Sequence, residues 1–256
     1  MFSNMSPEIS VINALENCLP LNYDGRNKKI INNKNGYSGI VSTAPVSLLI
    51  YNYNDYELAG KIAALLNNDI MSIISSAFLS CLLYEILHKE LKLNLKSIIL
   101  DLRNRIYDIL KEYDKNAVEK LSNIIDKAIN LSDSDISDTK AIEEIGSGWI
   151  AEEALSIAIY CSVKYSDNYE KGIVASVNHS GNSNITGSLT GNILGAYLGQ
   201  EAISEKYLTN LQLKDVIIEM AQDLNTNCPV SEYSSNDDKK WCSKYIYGSY
   251  NIFRQS

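Results

Sequence analysis

The sequence predicts an all-α fold built as one domain over residues 1–256, with 1–30 and 226–256 partly irregular. Three observations carry this reading. Apolar residues recur at i, i+3, i+4 and i+7 through most of the chain, the spacing that lines one face of a helix. Runs that alternate apolar and polar residues, which a half-buried strand needs, are few. No internal repeat or linker-like stretch divides the chain, and 256 residues with 45% hydrophobic content suffice for a large core.

Residues 56–66 (YELAGKIAALL) are predicted to form a short amphipathic helix. Residues 70–90 are apolar on most sides, as a buried central helix would be. Residues 96–113 set Ile98, Leu102, Ile106, Ile109 and Leu110 on one face, and 116–131 repeat the pattern with Ala117, Leu121, Ile124, Ile125 and Ala128. The stretch 132–140 (SDSDISDTK) reads as a polar loop rich in helix N-caps. Residues 149–165 give a strong, mostly buried helix, and Asp167 with Glu170 reads as a capping pair that opens the next one. Over 183–199, Gly187, Gly191, Gly195 and Gly199 return every four residues. Four residues overshoot a helical turn by about 40°, so these glycines form one slowly rotating ridge. Each costs up to ~1 kcal/mol relative to alanine. The ridge is therefore expected where another backbone packs too closely for a Cβ. Residues 205–225 read as a last amphipathic helix, and the Tyr-rich polar tail beyond Asn225 as irregular.

The balance of charge excludes some functions. A formal charge of -8 and a pI of about 4.9, with Lys and Arg scattered, argue against nucleic acid as a partner. No apolar run is read as reaching the ~18 residues that span a bilayer. The N-terminus MFSNMSPEIS lacks the basic and apolar regions of a secretory signal, so no membrane partner is expected. The five cysteines (Cys18, Cys81, Cys161, Cys228, Cys242) are widely spaced and form no CxxC pair, which argues against zinc. Cys81 and Cys161 sit in apolar helical runs and read as core thiols. The expectation is a cytoplasmic protein with reduced cysteines.

Three loops carry small residues in patterns that point to a ligand. The first, Asn35-Gly36-Tyr37-Ser38-Gly39, could turn free N–H groups toward a phosphate, or could be a tight turn. The second, Gly146-Ser147-Gly148-Trp149, precedes a helix, where N–H groups attract anions and the indole could stack on a ring. Its plain alternative is a flexible helix start with a core tryptophan. The third, Asn178 to Gly187, is dense in small polar groups, with His179, Ser180 and Gly181 together. His179 is a candidate for acid–base chemistry or a structural histidine beside a glycine turn.

In this order the loops resemble the ADP-ribosylglycohydrolase family, which includes the dinitrogenase-reductase-activating glycohydrolases. The strongest match runs from Gly146 to Gly199: a Gly-x-Gly-Trp loop, the helix Ala151-Glu152-Glu153-Ala154-Leu155, and the loop His179-Ser180-Gly181-Asn182 before the glycine ridge. Residues 201–224 continue it, and Asn33 to Pro45 looks like a changed form of the family's glycine-rich NxSKGxGGVMRVAP segment. The likeness covers roughly residues 10–225. It implies a compact multi-helix fold around a cleft with two magnesium ions, where a metal-activated water removes ADP-ribose from modified protein side chains. It also implies a bacterial source.

The resemblance breaks at the metal motifs. In the family, one set of ligands lies in an Asp-x-Asp-Ser/Thr motif in the last loop; here that stretch reads Asn182-Ser183-Asn184-Ile185. Two carboxylates become amides and a hydroxyl becomes an aliphatic side chain, although magnesium is usually held by carboxylates. The other set, a Thr-Asp-Asp-Thr type motif, would precede residue 1. The arginine of the glycine-rich segment is Ser42, and the family's Thr-His-Gly-His stretch reads Leu66-Asn67-Asn68-Asp69.

The resemblance therefore implies a catalytically impaired relative that needs no cofactor. Gly36, Ser38, Gly39, Ser147, Gly148, Trp149, His179, Ser180 and Gly181 are its candidate ligand contacts, and Asn182, Asn184 and Ile185 its degenerate metal positions. The partners implied are ADP-ribose, an ADP-ribosylated protein, or a toxin or second chain, as in an immunity-like role. The alternatives are an active hydrolase whose metal site is non-standard or completed by a partner, and a decayed fragment.

Overall fold

The computed structural model describes residues 34–49, 56–88, 93–226, 239 and 242–243. The readings for 1–30, for the tail beyond 226, and for Cys18 and Cys228 lie outside those residues. The described residues form helices, turns and loops with no strand, as the all-α reading requires. The helices are α1 (Ser38–Val41), α2 (Tyr56–Leu66), α3 (Ile70–His88), α4 (Leu95–Ser132), α5 (Asp138–Ile145), α6 (Ala151–Lys164), α7 (Tyr169–Val177), α8 (Ser183–Leu198), α9 (Glu205–Leu208) and α10 (Lys214–Asn225). Short 3₁₀ turns occupy Ala44–Leu48 and Gln200–Ala202. The chain divides into two compact units, residues 1–204 and 205–256.

In the first unit, α3 and α6 form the centre. α3 packs against α1, α2, α4, α6 and α8, and α6 against α3, α4, α5, α7 and α8. Both are apolar on nearly every side because they are surrounded. Phe78, Leu79 and Leu82 of α3 meet Leu155, Ile157 and Ile159 of α6 in one buried core. Cys81 and Cys161 are buried in that core and form no disulfide, as read from sequence. α3 is in fact long and apolar enough to cross a membrane by length and composition, contrary to the sequence reading, but it is mostly buried inside the protein.

The two helices expected over 96–113 and 116–131 are one α4, interrupted where Asp114 takes φ -153° and ψ 91°. The Asp114 carboxylate accepts the Ala117 N–H at 3.0 Å, so it caps the second half as an N-cap side chain does. Ile98, Leu102, Ile106, Leu110, Ala117, Leu121, Ile125 and Ala128 are buried as expected, while Ile109 is exposed and Ile124 half-buried. The polar stretch 132–140 is a loop only to Ser137, and α5 begins at Asp138. The capping pair read at Asp167 and Glu170 is replaced by Asn168, whose side chain accepts the Lys171 N–H at 3.0 Å. The amide oxygen one residue later sits where the first turn needs an acceptor.

The second unit contains α9 and α10, not one helix over 205–225. Leu213 adopts a left-handed φ of 59° and interrupts the helical path before α10. α10 buries no residue, and Ile217, Ile218 and Met220 are exposed.

The glycine ridge on α8 differs from the expected close backbone packing. A Cβ on Gly187 would lie 2.6 Å from Val177 Cγ1, so α7 presses on the ridge there through a side chain. At Gly191 the neighbours are only at contact distance, and at Gly195 a Cβ would meet nothing within 4 Å. Gly199 lies beyond the helix at φ 81° and ends it. Gly195→Ala is therefore expected to stabilise the protein by about 0.5–1 kcal/mol, through higher helix propensity and a less flexible unfolded chain. A lowered urea midpoint would show that the open space is needed.

The N-terminus of α5 is tied to α6 by a polar cluster. Asp138 accepts hydrogen bonds from the hydroxyls of Tyr160 (2.7 Å) and Tyr165 (2.8 Å) and pairs with Lys164 at 2.9 Å. Burial alone would raise the Asp138 pKa, but the Tyr160, Lys164 and Tyr165 hydrogen bonds and the Lys164 charge outweigh it, and the carboxyl is held below its ordinary 3.8. The Tyr165 hydroxyl is pushed up to about 12, by burial and by its bond to Asp138. Because the folded pKa is depressed, the stabilisation from Asp138 is complete above the unfolded carboxyl range and is lost as pH falls through the folded value. Asp138→Asn should thus flatten the loss of stability below about pH 4, at a cost of about 1–3 kcal/mol near neutrality. Urea titrations across pH check this; parallel acid limbs in wild type and variant would remove Asp138 from the account.

Candidate functional site

The first loop is built around buried side chains rather than open N–H groups. Asn67 lies in the turn between α2 and α3, and Asp69 caps α3 by accepting the Met71 N–H at 2.9 Å. The Gly39 N–H donates to Asn67 Oδ1 at 3.0 Å, and the Gly36 N–H donates to Ser72 Oγ at 3.3 Å. Ser72 Oγ returns its proton to Gly36 O at 2.8 Å. Gly36, Ser38 and Gly39 are buried. A Cβ on Gly39 would sit 3.0 Å from the Ala63 carbonyl, so glycine lets α1 lie directly on α2. The expected phosphate-facing N–H groups of Gly36 and Gly39 are thus already used inside the chain.

The second loop is likewise satisfied from within. Ile150 is the N-cap residue of α6, and Glu153 lies in its first turn. One oxygen of Glu153 accepts the N–H groups of Ser147 (3.0 Å) and Gly148 (3.1 Å) and lies 3.3 Å from Ser147 Oγ. The loop is an anion nest, as the Gly-x-Gly spacing predicts, but the anion in it is the chain's own. Gly146 and Gly148 have positive φ (157° and 76°), and a Cβ on Gly146 would collide with the Glu153 side chain. Trp149 is 56% exposed, so it is not a core tryptophan. Its ring lies 6.2 Å from that of Tyr37, tilted by 58°. The two rings belong to different loops and make an aromatic corner at the surface.

In the third loop His179 is a clasp. The Gly181 N–H donates to Nδ1 at 3.1 Å, which leaves the proton on Nε2. Nε2 lies 3.1 Å from Ser176 O and 2.9 Å from Thr186 Oγ1, and the Thr186 hydroxyl donates to Ser176 O at 2.7 Å. Burial lowers the His179 pKa, against the opposing pull of the Ser176 carbonyl, so the ring is held neutral. With both nitrogens engaged, its geometry is that of the structural histidine and not of a free base. Ser180 is exposed. Asn182 is the N-cap residue of α8, yet its side chain makes no capping bond; it is 4% exposed, and its Nδ2 is buried with no hydrogen-bond partner. Asn184 is exposed, while the Ile185 side chain is buried in the hydrophobic core.

The fold brings the three loops to one place, the N-terminal end of α6. The Asn182 N–H donates to Ser147 O at 2.8 Å, joining the third loop to the second. Asn35 joins the first to α6: its Nδ2 donates to Glu152 at 2.7 Å, and its Oδ1 accepts the Ala151 N–H at 3.4 Å. Glu152 is fully buried and also pairs with Lys120 of α4 at 2.7 Å. Sequence reasoning missed the roles of Asn35, Asn67, Ser72, Glu152, Glu153 and Thr186. The one visible signal was the adjacent acids Glu152-Glu153 at the start of an otherwise apolar helix: one caps the loop before it and the other ties down two distant elements.

Among the described residues the body is helical, with glycine-bearing loops gathered at the start of one core helix. The family model described as ADP-ribosylglycohydrolase matches residues 3–233, and the chain belongs to that family. A solved structure described as an ADP-ribosylglycohydrolase-related protein complex aligns with a TM-score of 0.62 and 19% identity, over 87% of this chain and 70% of that one. At that identity the likeness is one of fold. A search of curated proteins gave no match.

Proposed function

We propose that this protein is a catalytically impaired ADP-ribosylglycohydrolase relative that recognises ADP-ribose units, free or on a modified protein, without magnesium-dependent cleavage. The observation that carries this is Ile185. The family resemblance places a metal-ligating hydroxyl there, whereas here an aliphatic side chain points into the core. The donor set around it does not fit magnesium. Asn182 and Asn184 bring amides without charge, and no three His, Cys, Asp or Glu residues among the described ones converge on a point. The nearby acids are committed, Glu152 to Lys120 and Asn35 and Glu153 to backbone N–H groups. Recognition is supported by the aromatic corner of half-buried Tyr37 and exposed Trp149, a stacking surface for an adenine ring. In the cell such a protein would hold an ADP-ribosylated target or block a transferase toxin, an immunity-like role.

Calorimetry with ADP-ribose, with and without magnesium, tests the reading together with release of ADP-ribose from a modified peptide. Equal binding in both conditions and no release are expected. Magnesium-dependent release by the purified chain would overturn the impairment, and no heat at millimolar ADP-ribose would overturn recognition. Trp149→Ala should weaken ADP-ribose binding by about fivefold or more, since stacking is worth ~1–3 kcal/mol per base. The melting temperature should barely move, because the ring is 56% exposed.

A further inference from the structure

A second opening lies at the break of α4, and none of the three candidate loops lines it. It is a cavity of about 310 Å³ between α2, α3 and α4. That volume falls within the roughly 300–1,000 Å³ of small-molecule sites. The break lies at its edge: Leu110 and Val118, on either side of Asp114, line one wall, and Ile70, Ile73 and Ala77 of α3 another. The walls are apolar; the charges sit at Glu57, Lys61 and Asp114. Glu57 and Lys61 neutralise each other through a 3.0 Å ion pair. Among the described residues no cation pairs with Asp114, whose one described contact is the Ala117 N–H that it caps. An apolar hollow whose one uncompensated charge is a carboxylate complements a molecule with an aliphatic or aromatic body and a cationic head.

We propose that this cavity is a binding site for a small cationic amphiphile, with the apolar body between α3 and the two halves of α4 and the cation at Asp114. Because the ligand would touch both Leu110 and Val118, it would also fix the angle between the two halves. The proposal is independent of ADP-ribose recognition.

The test uses the full chain and three octyl probes below their micelle concentrations: octyltrimethylammonium, octyl glucoside and octyl sulfate, read by calorimetry and by thermal shift. Binding is expected in the order ammonium, glucoside, sulfate. Ala64→Trp, which places an indole at the lining of the cavity, should abolish binding. Asp114→Asn keeps a good helix cap and removes only the charge. It should weaken the ammonium probe about fivefold, the upper range of an exposed ion pair, and leave the glucoside unchanged. Equal binding of the three head groups overturns the proposal. So does an unchanged ammonium affinity in Asp114→Asn, ammonium binding that survives in folded Ala64→Trp, or no binding by any probe.

Discussion

Gly181→Ala is expected to cost about 2–4 kcal/mol and to part the second and third loops. A Cβ on Gly181 would stand 2.0 Å from the Ser147 carbonyl oxygen, with His179 Nδ1 a further obstacle at 3.0 Å. Neither neighbour is the free end of a flexible chain. Ser147 is held by Glu153 through its own N–H, and its carbonyl is the acceptor for Asn182. His179 is fixed by Ser176 and Thr186. Relief thus requires a backbone shift that breaks the Ser147–Asn182 hydrogen bond and disturbs the start of α8, which puts the substitution among the overpacking changes with large cost. Chemical denaturation gives the loss, and hydrogen exchange at Asn182 locates it. If Gly181→Ala melts as the wild type does and Asn182 stays protected, the loops are not locked together as described.

Lys120→Met should cost about 2–3 kcal/mol, more than Glu152→Gln, although Lys120 is the exposed partner. The Lys120 side chain is 59% exposed and that of Glu152 not at all. Removing the lysine leaves a buried carboxylate with Asn35 as its remaining partner, and an uncompensated buried charge is the expensive product of breaking such a pair. Glu152→Gln removes the charge and lets Lys120 turn to water. The double variant should cost clearly less than the sum of the two, because it buries no charge. Strict additivity in urea denaturation would mean that the ion pair does not set the energetics. Asn35 is the link to function: once released from Glu152 it also loosens its hold on Ala151, and the first loop loses its tie to α6.

The helical framework was legible because its signal is local. The apolar face of α4 follows from spacing alone, and Leu102, Leu121 and Ile125 lie in the core where the periodicity puts them. The break at Asp114 was legible only as a gap between two helices. Continuity of a helix axis depends on what packs against it, and sequence spacing does not carry that. The choice of Asn168 over Asp167 as a cap is a difference of one residue in backbone geometry, to which composition is blind. The candidate loops were found through their glycines, but which of their two readings holds was not legible, for a physical reason. The groups that occupy the Gly36 and Gly39 N–H donors come from Ser72 and Asn67, on another part of the chain. A glycine turn announces that N–H groups are gathered; it does not announce whether a ligand or a neighbour meets them. Trp149 shows the reverse case: of its two readings, a ring free to stack and a core tryptophan, the structure leaves the ring exposed.

The Glu153 carboxylate in the nest of Ser147 and Gly148 has a consequence for how any anion would be received there. A tethered carboxylate is a resident competitor at a fixed, high effective concentration. An incoming anion gains only the difference between its own hydrogen bonds and those that it displaces, so apparent affinity falls by the fraction of time that the nest stands open. In return, the loop needs no ligand to hold its shape and remains ordered when the protein is empty. Selection at this position would then favour ligands held chiefly by their uncharged, stackable parts over those held by charge, and their binding would respond little to salt.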